Sequence, residues 1–166
     1  MGATLTDFTT RAGTVAAIEA ECIRQGLTIP GQIAYVLATV EHETNGTFKP
    51  VREAYWLPEI IRKRMRYYPF YGRGYVQLTW RYNYQRYADL LGIDLIGNPD
   101  LAMDPPIACF ILVHGFRTGL FTGKRLTDYI SGTKADFIGA RRCINGTDQA
   151  QKIAGIAYRR LRAMEA

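Results

Sequence analysis

The stretch VLATVEHETNG, residues 36–46, joins an apolar helical pattern to a short acidic cluster. Its apolar side chains recur on a 3.6-residue period, so it predicts a buried helix with Pro30 in its first turn and an end at Asn45-Gly46. Glu41 and Glu43 fall on the two opposite edges of the apolar face. Charged side chains are seldom buried unless they are paired or needed for chemistry. The end of this helix is therefore the first candidate for a functional site.

Position along the helix favours Glu43 as the reactive carboxyl group. It lies nearer the helix end, where unpaired backbone carbonyls carry partial negative charge. That field, in apolar surroundings, disfavours the ionised carboxylate. A carboxyl group that keeps its proton near neutral pH can act as a general acid. The alternative for either Glu41 or Glu43, taken alone, is an exposed or salt-bridged residue at a helix end.

Other kinds of chemistry have weaker support in the sequence. His42 lacks the second histidine of an HExxH zinc helix, so no metal site is expected. Ser131 is the only serine, and it lies in a glycine turn rather than a nucleophile elbow. The three cysteines are far apart and form no CxxC pair, which predicts buried free thiols. Carboxylates therefore remain the best candidates.

Length, composition and charge limit the class of protein. The chain has 166 residues, of which 48% are hydrophobic and 22% charged, which fits a single globular domain over residues 1–166. No apolar run of about 18 residues predicts a membrane span. MGATLTDFTTRAG, at the N-terminus, shows no basic segment followed by an apolar stretch, so no signal peptide is expected. The net charge of +6 favours acidic partners such as nucleic acid, anionic lipid or wall polymers.

The sequence pattern predicts helices over most of the chain and one irregular segment between them. Residues 47–82 are aromatic, basic and interrupted by proline, with short β-prone pieces. A mainly α fold is therefore predicted, with a cleft lined by that segment. The first helix is expected near Asp7–Gln25 with Thr6 as its N-cap. Further helices are expected at 84–91, after Pro106 to about 119, at 124–131, at 134–143 and at 148–164.

The segment FYGRGYVQLTWRYNY, residues 70–84, has the composition of a sugar-binding surface. Gly72 and Gly74 allow a tight backbone that approaches its neighbours closely. Apolar sugar faces stack on aromatic rings, while sugar hydroxyls need directional hydrogen bonds. The segment supplies both aromatic rings and neutral hydrogen-bonding groups, the latter from Gln77, Thr79, Tyr82 and Asn83.

Four motifs in order carry a resemblance to a known family: HET at 42–44, YGRGYVQLTWRYNY at 71–84, NPDLA at 98–102 and RCINGTD at 142–148. Over roughly residues 30–160 the chain resembles glycoside hydrolase family 19, the chitinase and lysozyme-like group, and especially its phage and prophage endolysins. The resemblance implies a lysozyme-like α+β fold, a helical domain with a small β-bearing lobe and an active-site cleft between them. It also implies an inverting hydrolase without metal or cofactor.

The resemblance implies roles for individual residues. Glu43 matches the general acid, and Thr79 matches a hydroxyl residue that helps to hold the attacking water. Substrate contacts are implied for Tyr71, Gln77, Tyr82, Asn83 and Asn145.

The second carboxylate is not fixed by the family pattern, because the chitinase spacing falls here on Lys63. Glu53 follows Glu43 by ten residues and Glu59 by sixteen. Glu53 is favoured as the general base and Glu59 is the reserve. Arg52 could keep Glu53 ionised, since an adjacent cation stabilises a carboxylate. The alternative is that Glu53 only pairs with a surface arginine.

The predicted function is a muramidase-type endolysin that cuts the β-1,4 bonds of peptidoglycan by an inverting acid–base mechanism. Such an enzyme is expected as a monomer in the host cytoplasm until its release to the periplasm and cell wall. Weak contact of the basic last helix with anionic outer-membrane lipid is a further expectation. Its alternative is a terminal helix with one face packed on the core.

Several alternatives remain at this point. A chitinase, a lytic transglycosylase or a sugar-binding relic would share the same motifs. A different class, a basic nucleic-acid-binding protein, could use RKRMRYYPFYGRGYV, residues 62–76, for charge and stacking. The helix-dominated prediction disfavours it, and nucleic acid is not an expected partner.

Overall fold

Helices form most of the computed structural model, which describes residues 6–165. Within that range the α-helices are α1 Arg11–Arg24, α2 Pro30–Glu43, α3 Glu59–Lys63, α4 Arg81–Leu91, α5 Pro105–Thr118 and α6 Ala150–Glu165. The strands are β1 Val51–Arg52 and β2 Arg73–Gly74, and short 3-10 helices span Pro99–Met103, Leu126–Asp128 and Gly139–Cys143. The signal-peptide prediction rests partly on residues 1–5, which lie outside the described residues.

Helix α2 is the centre of the larger hydrophobic core. Every residue from Gly31 to Val40 is buried, and α2 packs against α6, α1 and α5. A helix that is apolar on all sides is stable only when other elements surround it. The predicted start at Pro30 is confirmed, and the helix ends at Glu43, two residues before Asn45-Gly46. Residues 41–43, at the C-terminal end of α2, are only partly buried.

The small β-bearing lobe is built by the aromatic segment. Strands β1 and β2 pair antiparallel, with Val51 opposite Gly74. Arg73, in β2, is buried, and its side chain donates to Asp100 Oδ1 at 2.9 Å, to the Pro69 carbonyl at 2.8 Å and to the Tyr84 hydroxyl at 3.0 Å. These bonds connect the strands to α4 and to the 3-10 helix at 99–103. The predicted mainly α, lysozyme-like fold with a small β-bearing lobe is confirmed.

Several predicted boundaries are wrong. Helix α1 begins at Arg11 because Thr10, not Thr6, is its N-cap and accepts from the Gly13 amide at 3.0 Å. The residues before it form a turn in which Asp7 accepts from the Thr9 amide. The segments predicted as helices at 124–131 and 134–143 each form only a short 3-10 helix, and helix α3 was not predicted.

Helix α6 uses its apolar face for packing. Ile153, Ala154, Ile156 and Ala157 are buried in the main core, and the helix contacts α2 along this face. The apolar stripe that motivated a lipid contact at α6 is therefore covered by the protein itself. Across residues 6–165, the length and hydropathy of the helices fall short of what a bilayer crossing requires. All three cysteines are buried free thiols, as expected.

Candidate active site

A cleft of about 460 Å³ lies between the end of α2 and the small lobe. Its walls come from distant parts of the chain: the end of α2, the end of β1, the 76–83 segment and residues 144–145. Seven of the eight predicted site residues line it: Glu43, Glu53, Gln77, Thr79, Tyr82, Asn83 and Asn145.

Glu43 is the last residue of α2, and its carboxylate is held by a buried cation. Its Oε1 accepts from Arg141 Nη1 at 3.2 Å, and the side chain is 20% exposed. Arg141 is only 2% exposed and also donates through Nε to the Asp148 carbonyl at 2.7 Å. The apolar surroundings expected for Glu43 are therefore wrong, because a positive charge lies beside it. The sequence argument that apolar surroundings keep this carboxyl group protonated loses its basis, and the acid role of Glu43 rests on the resemblance and on its place in the cleft. The ion pair fixes the direction in which Glu43 points into the cleft.

Glu41 has a different environment from Glu43. Its Oε1 accepts from Arg11 at 3.0 Å and from Arg160 at 2.7 Å, which connects α2 to α1 and α6. It does not line the cleft. The salt-bridged helix-end alternative thus describes Glu41, while Glu43 is the member of the pair that faces a concave surface.

Glu53 lies directly after β1 and has hydrogen-bond donors on both carboxylate oxygens. The Gly72 amide donates to Oε2 at 2.8 Å, and the Tyr67 hydroxyl donates to Oε1 at 2.5 Å. The Glu53 amide in turn donates to the Gly72 carbonyl at 2.7 Å. These two donors hold the carboxylate of Glu53 in one position within the cleft lining. Burial, and then the hydrogen bond to Glu53, raise the pKa of Tyr67 to about 12, so Tyr67 keeps its proton.

Two predictions about the surroundings of Glu53 are corrected. Arg52 does not pair with it and instead contacts Asp100 Oδ1 at 3.3 Å. The reserve base, Glu59, lies outside the cleft and accepts from Arg62 Nε at 2.6 Å. Glu53 is therefore the second carboxylate that shares a cleft with Glu43.

Thr79 and Asn83 contribute polar groups to the lining of the cleft. The Thr79 hydroxyl donates to the Gln77 carbonyl at 2.8 Å, so its lone pairs remain as acceptors for a water proton. Asn83 donates through Nδ2 to the Thr79 carbonyl at 3.0 Å. Its buried Oδ1 has no hydrogen-bond partner among the residues that the structure describes. Such an acceptor needs a donor from a ligand or from water.

The position of the Gln77 side chain depends on Gly72, five residues earlier in the motif. Its Nε2 donates to the Val51 carbonyl at 2.9 Å, and its backbone has a positive φ of 60°. A Cβ at Gly72 would lie 2.7 Å from Gln77 Oε1, closer than heavy atoms approach. Gly72 is therefore required for the close approach that the sequence predicted. A left-handed non-glycine residue at a cleft is strained, and such strain is common at functional sites.

Aromatic rings form one side of the cleft. The rings of Tyr67 and Trp80 lie 4.9 Å apart between centroids, and Trp80 stacks with Tyr82 at 6.4 Å. Tyr82 is 61% exposed, and the Arg66 guanidinium lies 5.5 Å from the Trp80 ring centre. Exposed aromatic rings suit the apolar faces of a sugar ring, and the neighbouring hydrogen-bonding groups suit its hydroxyls.

Tyr71 is the predicted site residue that the structure does not bring to the cleft. It is 3% exposed, and the Arg73 guanidinium lies 3.9 Å from its ring centre. Its predicted contact with substrate is therefore wrong for the side chain, which packs inside the small lobe. Its carbonyl accepts from the Tyr84 hydroxyl at 2.6 Å, so Tyr71 supports the motif from within.

Sequence reasoning missed the site roles of Arg141, Tyr67 and Trp80. Arg141 lies directly before RCINGTD, and its proximity to that motif was the only available signal. Tyr67 belongs to the segment 62–76, whose aromatic residues suggest nucleic-acid stacking. No residue near it in sequence indicates its hydrogen bond to Glu53. Among residues 6–165, no three His, Cys, Asp or Glu side chains are grouped so that they could hold a metal ion.

Comparison with known proteins matches this chain to chitinases. The family model for glycoside hydrolase family 19, described as chitinase class I, matches residues 8–120. Chitinase 11 of Oryza sativa subsp. japonica is 55% identical over 42 residues, which cover 25% of this chain and 16% of the relative. An endochitinase of Arabidopsis thaliana is 33% identical over 107 residues, covering 62% of this chain and 38% of the relative. The chain therefore spans less than half the length of these curated relatives.

Solved structures show the same fold. A bacterial family 19 chitinase superposes with a TM-score of 0.59 at 22% identity, over 93% of this chain and 89% of its own. Chitinase C from Streptomyces griseus superposes with a TM-score of 0.58 at 17% identity, over 96% of this chain and 79% of its own. At these identities the likeness concerns the fold.

Proposed function

Because the chain belongs to glycoside hydrolase family 19, we propose that it hydrolyses the β-1,4 bonds between N-acetylated sugars of bacterial peptidoglycan, as a muramidase-type endolysin. One observation carries the proposal: Glu43, Glu53 and Thr79, from three separate segments, line one cleft with an aromatic side. A pair of carboxyl groups flanking a sugar-sized groove is what glycoside hydrolysis requires.

The proposed reaction divides the work between the two carboxyl groups. Glu43 protonates the glycosidic oxygen as the bond to the leaving sugar breaks. Glu53 accepts a proton from a water molecule, which then attacks the anomeric carbon from the opposite face and inverts its configuration. Thr79 accepts a hydrogen bond from that water, since its own proton is engaged by the Gln77 carbonyl. Each acid–base step contributes about 10²–10⁴-fold to the rate.

The polar lining supports an N-acetylated substrate. Asn83 and Asn145 contribute side-chain amides to the cleft lining, and an amide can hydrogen-bond the acetamido group of an N-acetylated sugar. Tyr82 and Trp80 supply faces on which the sugar rings pack.

Charge supports peptidoglycan as the polymer. Peptidoglycan bears carboxylates on its peptides, whereas chitin is neutral. The chain has a net charge of +6, and Arg66 lies over the ring of the cleft residue Trp80. A cation beside the groove attracts the anionic polymer. As an endolysin, the protein would act as a monomer and remain in the host cytoplasm until its release to the wall.

Chitin is the second candidate substrate, because the matching relatives and solved structures include proteins named as chitinases. Another relative, 41% identical over 64 residues, is named an inactive chitinase-like protein 1 of Hevea brasiliensis, so family membership alone does not establish turnover. A nucleic-acid function has less support. In the basic aromatic segment, Arg62 and Tyr71 are buried and Tyr67 bonds to Glu53, so a continuous stacking surface is missing among these described residues.

The test is digestion of purified sacculi and of chitin hexamer, followed by mass analysis of the products. The proposal expects reducing muramic acid ends from sacculi and much slower cleavage of the hexamer. Faster cleavage of the hexamer would make the protein a chitinase, and anhydro-muramic ends would make it a lytic transglycosylase. Binding of either polymer without new reducing ends would make it a sugar-binding relic.

A further inference from the structure

The segment after Glu53 displays apolar side chains to solvent. Residues 55–60 are all exposed, and four are large and apolar: Tyr55 is 52% exposed, Trp56 71%, Leu57 38% and Ile60 54%. These four residues are called the 55–60 patch. Single exposed apolar residues are ordinary, but a contiguous group marks an interaction surface. The four residues lie outside the lining of the catalytic cleft.

The 55–60 patch is held in place by one buried arginine. Arg62 is 8% exposed and donates to the carbonyls of Ala54 at 2.9 Å and Leu57 at 3.2 Å. Its Nε also donates to Glu59 Oε2 at 2.6 Å. The buried Arg62 thus holds the backbone of residues 54–57 through these hydrogen bonds. Tyr55 and Trp56 contact each other edge to face, with ring centres 5.2 Å apart. The apolar side chains are therefore presented by an ordered support.

The charges beside the patch are positive. Lys63, Arg64 and Arg66 are exposed and lie three to six residues after the patch in sequence, while Glu59, the one acidic residue at positions 55–66, is paired with Arg62. Aromatic and aliphatic side chains next to free lysine and arginine are the combination that binds the interface of an anionic bilayer. Tryptophan and tyrosine are enriched at that interface because one part of each ring is apolar and another is polar.

We propose that the 55–60 patch docks the protein on the surface of an anionic phospholipid bilayer, with Trp56 inserted at the interface and Lys63 and Arg64 against the headgroups. Charge complementarity selects this occupant. A second copy of the chain would present the same positive charges and be repelled. Anionic peptidoglycan could pair with those cations, but it has no hydrocarbon layer to take up the four exposed apolar side chains of the patch. Unlike the apolar face of α6, which is buried, this surface is free within the described structure. The proposal goes beyond glycan hydrolysis and does not depend on it.

The test is cosedimentation of the full chain with vesicles of phosphatidylcholine alone or with phosphatidylglycerol. Binding is expected only to the anionic vesicles, with a blue shift of tryptophan emission and a loss of binding in high salt. Trp56→Ala should weaken partitioning about tenfold and abolish most of the blue shift. Lys63→Gln/Arg64→Gln should weaken it about 25-fold, since each cation near such a surface contributes about fivefold.

Two controls keep the test specific. Arg159→Gln/Arg162→Gln removes the same charge from exposed positions of α6 and should leave partitioning within about twofold of wild type. Glu43→Gln should bind vesicles like wild type whether or not the protein is a glycosidase. Equal loss in the α6 variant, equal binding to neutral vesicles, or no vesicle binding would each overturn the proposal. So would slower hydrolysis of soluble glycan by Trp56→Ala, because the patch would then be a glycan contact.

Discussion

Arg141 Nη1 lies 3.2 Å from Glu43 Oε1 although 98 residues separate the two in sequence. Arg141 is almost wholly buried, and its second bond, to the Asp148 carbonyl, fixes its guanidinium plane. Helix α2 brings Glu43 to the cleft, and the distal 139–148 segment determines how its carboxylate points. The acid is therefore oriented by a part of the chain that contributes Asn145 to the same cleft.

Replacement of Arg141 should impair turnover more than substrate binding. Arg141→Lys keeps the charge but loses the planar fork, so Glu43 would no longer be held in one direction. We expect kcat to fall about 10²-fold with KM nearly unchanged, since misplacement of a reacting group by about 1 Å has an effect of that size. The matched control is Arg142→Lys, at an exposed neighbouring position, which should keep normal kinetics. A proportionate rise of KM in Arg141→Lys would argue against a positioning role.

The Tyr67 hydroxyl should be needed to hold the general base. Tyr67→Phe removes the 2.5 Å hydrogen bond to Glu53 Oε1 and leaves the ring beside Trp80. Because hydrogen bonds to charged groups contribute about 1.5–3 kcal/mol, we expect kcat to fall about 10- to 100-fold. Tyr68→Phe, at an exposed hydroxyl, serves as the control. Unchanged steady-state rates in Tyr67→Phe would show that Gly72 alone suffices to hold Glu53.

A side chain at Gly72 should displace Gln77 from its position in the cleft. In Gly72→Ala the new Cβ would collide with Gln77 Oε1 at 2.7 Å, so Gln77 must shift within the cleft. We expect about a tenfold loss of kcat/KM together with a lower melting temperature. Gly155→Ala is the control, because a Cβ there meets no atom within 4 Å inside α6. That variant should be more stable by about 0.5–1 kcal/mol. Full activity in Gly72→Ala would mean that Gln77 is not a substrate contact.

Two histidines should make the fold less stable in mild acid. Burial lowers the pKa of both His42 and His114 below the ordinary value of 6.5. Between the folded and unfolded pKa the unfolded chain binds more protons, so the free energy of unfolding is highest above pH 6.5 and falls as the pH drops. His42→Gln should flatten part of this slope in urea titrations from pH 8 to about 5. An unchanged slope would exclude His42 as a source of the acid sensitivity.

Local patterns predicted five of the six α-helices among residues 6–165 and most of the cleft, because both depend on signals that are close in sequence. The 3.6-residue period located α2, and the 70–84 motif supplied its glycines and polar side chains together. The N-cap of α1 and the two short 3-10 helices are local failures, whereas the failures at the site involve long-range contacts. Nothing near Glu43 indicates Arg141, and Arg52 was assigned to its neighbour Glu53 because Asp100 is distant in sequence. The motif does not show which of its aromatic side chains point inward, so it cannot separate the buried Tyr71 from the exposed Tyr82.

The most direct measurement is the rate at which reducing ends appear when purified sacculi are incubated with wild type, Glu43→Gln, Glu53→Gln and Glu59→Gln at equal concentration. All three variants should unfold at temperatures close to that of wild type. Glu43→Gln and Glu53→Gln should each release reducing ends about 10²–10⁴-fold more slowly, while Glu59→Gln should act at a near-normal rate. Near-normal release by a folded Glu43→Gln variant would contradict the assignment of Glu43 as the proton donor in this cleft.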